Sequence, residues 1–247
     1  MPEPITILYP FRAARRSLAV GEVADLFGLD GSEGEHVVAE NLELDARPTD
    51  VVLFTGPSGS GKSSVMREVA KRFGAVDAGS LELPAVPLVD ALPGAVEDRL
   101  ATLAGCGLSE ARLLLRTPAE LSEGQRYRFR MAYALAMARG PIVLDEFTAA
   151  LDRTLARVVA FNLRKLATRA GIGVLAATTH EDIADDLNPD VHVRCRGEGA
   201  IDVEYRTVKK KRSASTMSFG SRTAPDPTGR ISLGGITVAT ASALSGA

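Results

Sequence analysis

What this sequence has little of narrows the field first. It carries two cysteines, Cys106 and Cys195, in no framework spacing. A disulfide-stapled secreted scaffold is therefore excluded, and a reducing compartment, the cytoplasm, is expected. No apolar run approaches the roughly 20 residues that a membrane-spanning helix needs. Met1–Pro10 lacks the basic start and long apolar centre of a signal peptide. The net charge is −2, so bulk charge argues for neither a nucleic acid nor an anionic membrane as partner. What remains, at 247 residues, is enough chain for one moderate domain with a full core, plus trimmings.

Against that background one motif is complete. Gly56-Pro57-Ser58-Gly59-Ser60-Gly61-Lys62-Ser63 is a G-x-x-x-x-G-K-S phosphate loop. The apolar run Val51–Thr55 predicts a buried parallel strand before it, and Ser63–Phe73 is compatible with a helix after it. The glycines let the backbone turn sharply and aim its N–H groups at phosphate oxygens, and the helix start adds its positive end. Lys62 would reach the β- and γ-phosphates, and the Ser63 hydroxyl would ligate Mg²⁺. At roughly 7% glycine per position, chance alone produces such a match in about one chain of this size per hundred. The flanking strand and helix make chance rarer still. Alone, the loop implies only that a nucleoside triphosphate is bound.

Four further patterns follow it. Asp145 and Glu146 close a second apolar run, Pro141–Leu144, again a predicted strand. Carboxylates at the carboxyl end of a parallel strand stand where ligands bind in open α/β sheets, although such a pair by itself could equally open a loop. Ser122 suits a helix N-cap and Gln125 completes a capping box, so Tyr127–Ala138 would run helically. Gly124 in that first turn is costly unless something approaches its backbone closely. His180 follows the β-branched and apolar run Ile172–Thr179, a position where a lone histidine is more often structural than catalytic. Asp152 would N-cap a helix through Ala170, with Leu155, Val158, Val159, Leu163 and Leu166 at core spacing.

In this order the phosphate loop, Leu121-Ser122-Glu123-Gly124-Gln125, Asp145-Glu146, Leu151-Asp152 and Thr178-Thr179-His180 resemble the ATPase of the ATP-binding-cassette (ABC) superfamily. The resemblance implies an α/β fold: a P-loop NTPase domain of ABC type, with a mostly parallel core sheet, antiparallel edge strands and a small helical subdomain. It implies ATP and Mg²⁺, with Gly56 through Ser63 and Ser64 holding nucleotide. Asp145 would hold the metal through water, Glu146 would polarise the attacking water, and His180 would contact the γ-phosphate. Ser122–Gln125 would close on the nucleotide of a second copy, giving an ATP-driven homodimer, and Asp152 would lie in its interfacial D-loop. The usual third signature residue is glycine; here it is Glu123.

Two departures stand out. The chain has a single glutamine, Gln125, so the glutamine loop between phosphate loop and signature is absent. Asp90 is the best positional substitute near the metal, with a helix N-cap before Leu92–Val96 as the equal alternative. The aromatic that stacks on adenine about two dozen residues before the loop is also missing. That place holds Glu33, with Phe27 and His36 the nearest ring-bearing side chains.

Along the chain, residues 1–30 form an expected N-terminal extension, with a short strand at Ile5–Tyr9 and an amphipathic helix at Ser17–Phe27. The ATPase domain would span 31–206, its sheet beginning in Val37–Leu44 and its helical subdomain covering about 91–138. Val96–Leu103 and Ser109–Leu115 would be helices there, and Val191–Cys195 and Ile201–Tyr205 the last strands. Residues 207–247 form a low-complexity tail expected to be disordered. Its Lys209-Lys210-Lys211-Arg212 run reads first as a solvated linker and second as a nucleic-acid contact.

A closer resemblance is to a soluble branch of ABC-type ATPases associated with predicted acetyltransferase domains. It rests on Leu121–Arg128, Asp145-Glu146-Phe147, Ala177–Asp182, Val23–Leu29 and Asn41–Leu44. It implies an acetyltransferase-like or other soluble protein partner. Three functions stay open: a soluble mechanochemical ATPase, the nucleotide-binding subunit of a transporter, and a slow ATP-binding switch.

Overall fold

The computed structural model describes residues 3–11, 17–28, 34–149 and 151–206. Strands β1 (Ile5–Phe11) and β2 (Gly34–Leu42) pair antiparallel, with helix α1 (Leu18–Phe27) between them in sequence. Then follow β3 (Val51–Thr55), α2 (Lys62–Phe73), β4 (Val76–Asp77) and the short helix α3 (Leu88–Ala91). Helices α4 (Val96–Gly105), α5 (Ala111–Leu114) and α6 (Glu123–Met137) lead to β5 (Ile142–Leu144). The chain continues through α7 (Arg153–Ala170), β6 (Val174–Thr178), α8 (Ala184–Leu187), β7 (Val191–Gly197) and β8 (Ala200–Tyr205). The main sheet has six strands in the order β4-β5-β6-β3-β7-β8, all pairs parallel except β7 with β8.

The central strands are apolar throughout because both faces of the sheet are covered. Along β3 the side chains alternate: Val51 and Leu53 enter a core shared with α6 and α7, while Val52 and Phe54 enter one shared with α2 and the β1–β2 hairpin. Strand β6 divides in the same way, Val174 and Ala176 against Leu175 and Ala177. Asp190, just before β7, fastens these layers. It accepts two hydrogen bonds from Arg164 of α7, at 2.6 and 2.9 Å, and a third from the Val51 N–H at 2.9 Å. Burial pushes its carboxyl up, but the Arg164 and Val51 hydrogen bonds and the charges of Arg164 and Arg47 hold it below the usual carboxylate range.

Several expectations shift. The boundary expected after residue 30 falls within a hairpin: Ile7 pairs with Ala39 and Tyr9 with His36, and Ile5 is buried beside Val38 and Val65. The residues expected to begin the main sheet thus lie mostly in this separate two-stranded sheet. Helix α1 forms, capped by the Ser17 hydroxyl, but Leu18, Leu26 and Phe27 are 90%, 80% and 75% exposed. The buried face of α7 is turned by one position. Ala156, Val159, Ala160, Leu163 and Ala167 are inside, whereas Val158 is exposed and Leu155 and Leu166 are half-buried. Alanines there let the helix axis approach its neighbours closely. The start of α6 agrees with expectation: Ser122 is its N-cap, Gln125 completes the capping box, and the helix begins at Glu123. Glu33 and the tail 207–247 lie outside the described residues.

Candidate functional site

The phosphate loop leaves the end of β3 and enters α2. Thr55, the last strand residue, is buried, and its hydroxyl meets His192 Nε2 at 2.8 Å. Burial, then the Arg194 charge, holds His192 below the usual imidazole range, so it stays a neutral partner. Gly56 and Gly61 have φ of +141° and +90°. A Cβ on Gly56 would overlap the Cys195 carbonyl, and one on Gly61 would overlap the Val38 side chain. Burial raises the Cys195 thiol to about 11 and the Cys106 thiol to about 12, so both sulfurs are inert packing.

A cavity of about 400 Å³ opens over this loop. Ser58, Gly59, Gly61, Lys62, Ser63 and Ser64 form its floor. Asp145, Glu146 and Ala149 come from the end of β5, Ala177, Thr178 and Thr179 from the end of β6. Tyr9, His36 and Val38 of the hairpin complete the rim. The volume is that of a small-molecule pocket. Gly56, Pro57 and Ser60 lie behind it: the Pro57 carbonyl accepts from Lys62 Nζ at 2.7 Å, and Ser60 Oγ is buried with no partner among the described residues.

These features fit a polyphosphate. Helix α2 begins at Gly61 with no side-chain cap, which leaves its first N–H groups open to an anion. The oxygen ligands suit Mg²⁺ equally. Ser63 Oγ donates to Asp145 Oδ1 at 2.9 Å, joining a hydroxyl and a carboxylate from positions 82 apart in sequence. No cluster of three His, Cys, Asp or Glu able to hold a metal occurs among the described residues. Magnesium held by one carboxylate, one hydroxyl and substrate phosphates needs no such cluster.

Glu146 is exposed beside the cavity at φ +52°, a left-handed backbone that costs a side-chain-bearing residue about 1–2 kcal/mol. Its N–H donates to Asp145 Oδ1 at 3.0 Å. Tyr127 of α6 donates to the Asp145 carbonyl at 3.1 Å. Burial first, then the Asp145 charge, raises that phenol, so it remains a donor. His180 does not itself line the cavity; it follows Thr179, which does, and its Nδ1 lies 2.9 Å from Thr148 Oγ1.

Not every expected residue converges. Ser122, Glu123, Gly124 and Gln125 stand at the start of α6 and do not line the cavity. Ser122 and Gln125 cap each other reciprocally, at 3.3 and 3.0 Å. Arg128 braces the turn by donating to the Gly124 carbonyl at 3.2 Å and the Gly107 carbonyl at 2.6 Å. Asp152 caps α7 through the Leu155 N–H at 2.9 Å and does not line the cavity either. Asp90 is not brought to the metal position. It sits inside α3 with its carboxylate 4.0 Å from Arg99, and it does not cap α4, whose N-cap is Ala95. The missed residue is Tyr9, whose hydroxyl donates to Ser64 Oγ at 3.1 Å. With its pairing partner His36 it supplies the aromatic rim sought near Glu33, whereas Phe27 is on the exposed α1 and does not line the cavity. The strand candidate Ile5–Tyr9 was the available signal, but its pairing across an inserted helix was not.

No protein-family model matches the sequence. Curated relatives do. The aliphatic sulfonates import ATP-binding protein SsuB 1 of Streptomyces avermitilis is 32% identical over 188 residues, covering 67% of this chain and 70% of that protein. The SsuB 2 protein of Mesorhizobium japonicum is 30% identical over 210 residues, covering 76% and 84%. The chain belongs to the ATP-binding-cassette ATPases. Among solved structures, the dimeric ATP-binding cassette MJ0796, in a post-hydrolysis state with ADP and Pi, superposes with a TM-score of 0.54. That match has 19% identity and covers 82% of this chain and 97% of that one. It shows that the cassette fold is shared. These relatives do not reach the acetyltransferase-associated branch of the family.

Proposed function

We propose that this cassette hydrolyses Mg²⁺-ATP at a site completed by a second copy of the chain. The supporting observation is the division of the site. Lys62, Ser63, Asp145 and Glu146 converge on one cavity, while the turn Ser122–Gly124, exposed at Ser122 and Glu123, lies outside it in the same chain. The phosphate-loop N–H groups and Lys62 bind and orient the triphosphate. Ser63 and Asp145 would hold magnesium, which when bound neutralises charge on the phosphates. Glu146 orients or deprotonates the attacking water, His180 contacts the γ-phosphate, and Tyr9 and His36 flank the base. The partner copy's helix start, N-capped and with open N–H groups, would close over the γ-phosphate.

Glu146→Gln tests this reading. Binding should persist while turnover falls by about 10²- to 10⁴-fold, and ATP should convert monomer to dimer in light scattering. Near-normal turnover removes Glu146 from the chemistry. A monomer at saturating ATP and Mg²⁺ refutes the shared site.

Closure does work only if it changes contacts with another molecule. The absence of any glutamine between Ser63 and Ser122 favours a soluble protein partner over a membrane one. The transporter reading has its own support, because the curated relatives named above are import ATP-binding proteins. No described helix is long and apolar enough to cross a membrane. Affinity purification of the native protein separates the two: a multispanning membrane protein in stable complex establishes the transporter role, and a soluble protein establishes the other.

A further inference from the structure

Beside the cavity, two buried hydroxyls and one imidazole form a small closed set of hydrogen bonds. Thr148 Oγ1 lies 2.5 Å from Thr178 Oγ1 and 2.9 Å from His180 Nδ1, and the His180 N–H donates to Thr178 Oγ1 at 3.1 Å. Thr148 and Thr178 are 1% and 3% exposed, so their hydrogens have to be used within the set.

Each hydroxyl has one hydrogen to give, and a neutral imidazole has one N–H and one lone pair. Three arrangements satisfy the three distances. In the first, Thr178 donates to Thr148, Thr148 donates to His180 Nδ1, and Thr178 accepts from the His180 backbone. Every hydrogen is used. In the second, His180 Nδ1–H donates to Thr148 and Thr148 donates to Thr178. The Thr178 hydrogen then has no acceptor among the described residues. In the third, Thr178 and His180 Nδ1–H both donate to Thr148, and the Thr148 hydrogen has no acceptor among the described residues. Leaving a buried hydroxyl donor unused disfavours the second and third arrangements by on the order of ten- to a hundredfold.

We propose that Thr148 is a positioning residue that holds neutral His180 with its hydrogen on Nε2. The ring then offers a donor, not a lone pair, to a phosphate oxygen. This rests on the reading of His180 as the γ-phosphate contact. A lone pair aimed at an anionic oxygen would repel it, so the tautomer decides whether the histidine helps or hinders. Thr148 acts through His180 and touches no substrate.

Nitrogen-15 NMR of the full chain without nucleotide tests the tautomer directly, at about pH 8.5 where a free imidazole is neutral. The sequence has three histidines, His36, His180 and His192, so the His180→Ala spectrum assigns the signals. The wild type should show His180 with an acceptor-type Nδ1 and a protonated Nε2. Thr148→Ser should preserve that pattern, and Thr148→Val should give mixed or reversed tautomers. In the valine variant kcat should fall about tenfold while KM for ATP changes less than about twofold, and serine should restore kcat. Protonated Nδ1 in the wild type overturns the proposal, and that spectrum suffices if the valine variant does not fold. So does an unchanged tautomer in Thr148→Val, whatever its melting temperature, because a merely structural threonine would act that way. Full turnover in His180→Ala would instead discard the γ-phosphate role and leave the tautomer result standing.

Discussion

Two loop glycines give a quantitative test of the site's construction, because their neighbours differ in kind. Gly61→Ala introduces two separable costs. Its φ of +90° lies on the left-handed side, where a Cβ costs about 1–2 kcal/mol. That Cβ also overlaps the Val38 side chain, and overpacking adds about 1–3 kcal/mol. The sum is a loss of about 2–5 kcal/mol. Val38→Ala alone should cost about 1.5–3 kcal/mol, the worth of a buried valine side chain. In the double variant the overlap vanishes, so the valine loss and the backbone strain remain. The combined loss should therefore fall about 1–3 kcal/mol short of the sum of the single losses. Gly56→Ala is the control: its Cβ meets the Cys195 main-chain carbonyl, which no side-chain truncation removes. Pairing it with Cys195→Ala should be additive. Urea denaturation of the single and double variants supplies every term. Additivity within about 0.5 kcal/mol for the Gly61–Val38 pair would refute the packing argument.

Three further outcomes are expected. Gly124→Asp puts a carboxylate where the partner's γ-phosphate should approach, so ATP-driven dimerisation in the Glu146→Gln background should be lost while nucleotide binding persists; an intact dimer would exclude the signature from the interface. Asp190→Asn should destabilise the chain by about 1.5–3 kcal/mol at neutral pH, the worth of a hydrogen bond to a charged group. Because the folded carboxyl is held low, its contribution is present above the unfolded value near 3.9 and is lost as pH falls through the folded one. Wild type and variant should thus differ by a constant amount above about pH 5 and converge below about pH 4, and a gap that widens in acid would contradict this. Asp90→Ala should leave the Mg²⁺ dependence of turnover unchanged, since its carboxylate faces Arg99; a raised metal requirement would restore it as a ligand.

The legible part of this protein is local. Val51–Phe73 is a strand, a glycine turn and a helix start in one continuous segment, and short-range turn chemistry decides all three. The Ser122–Gln125 cap, the Asp152 cap and the apolar strands before Asp145 and before His180 are equally local, and the sequence alone determined them. What it left undecided depends on which strands lie side by side. Ser63 reaches Asp145 only because the sheet order puts β6 alone between β3 and β5. Tyr9 reaches Ser64 only because β1 pairs with β2 across an inserted helix, which no set distance before the loop encodes. The inner face of α7 turned by one position because burial of alanines against close neighbours outweighed the larger apolar side chains, a choice that periodicity does not make. Asp90 pointed to Arg99 because α4 brings that guanidinium within reach. Thr148, Thr178 and His180 carry ordinary residue types at unremarkable spacings, and only the meeting of two strand ends makes them a single hydrogen-bonded unit. Spacing along a chain sets turns, caps and periods; convergence in space is set by strand order and by which faces exclude water.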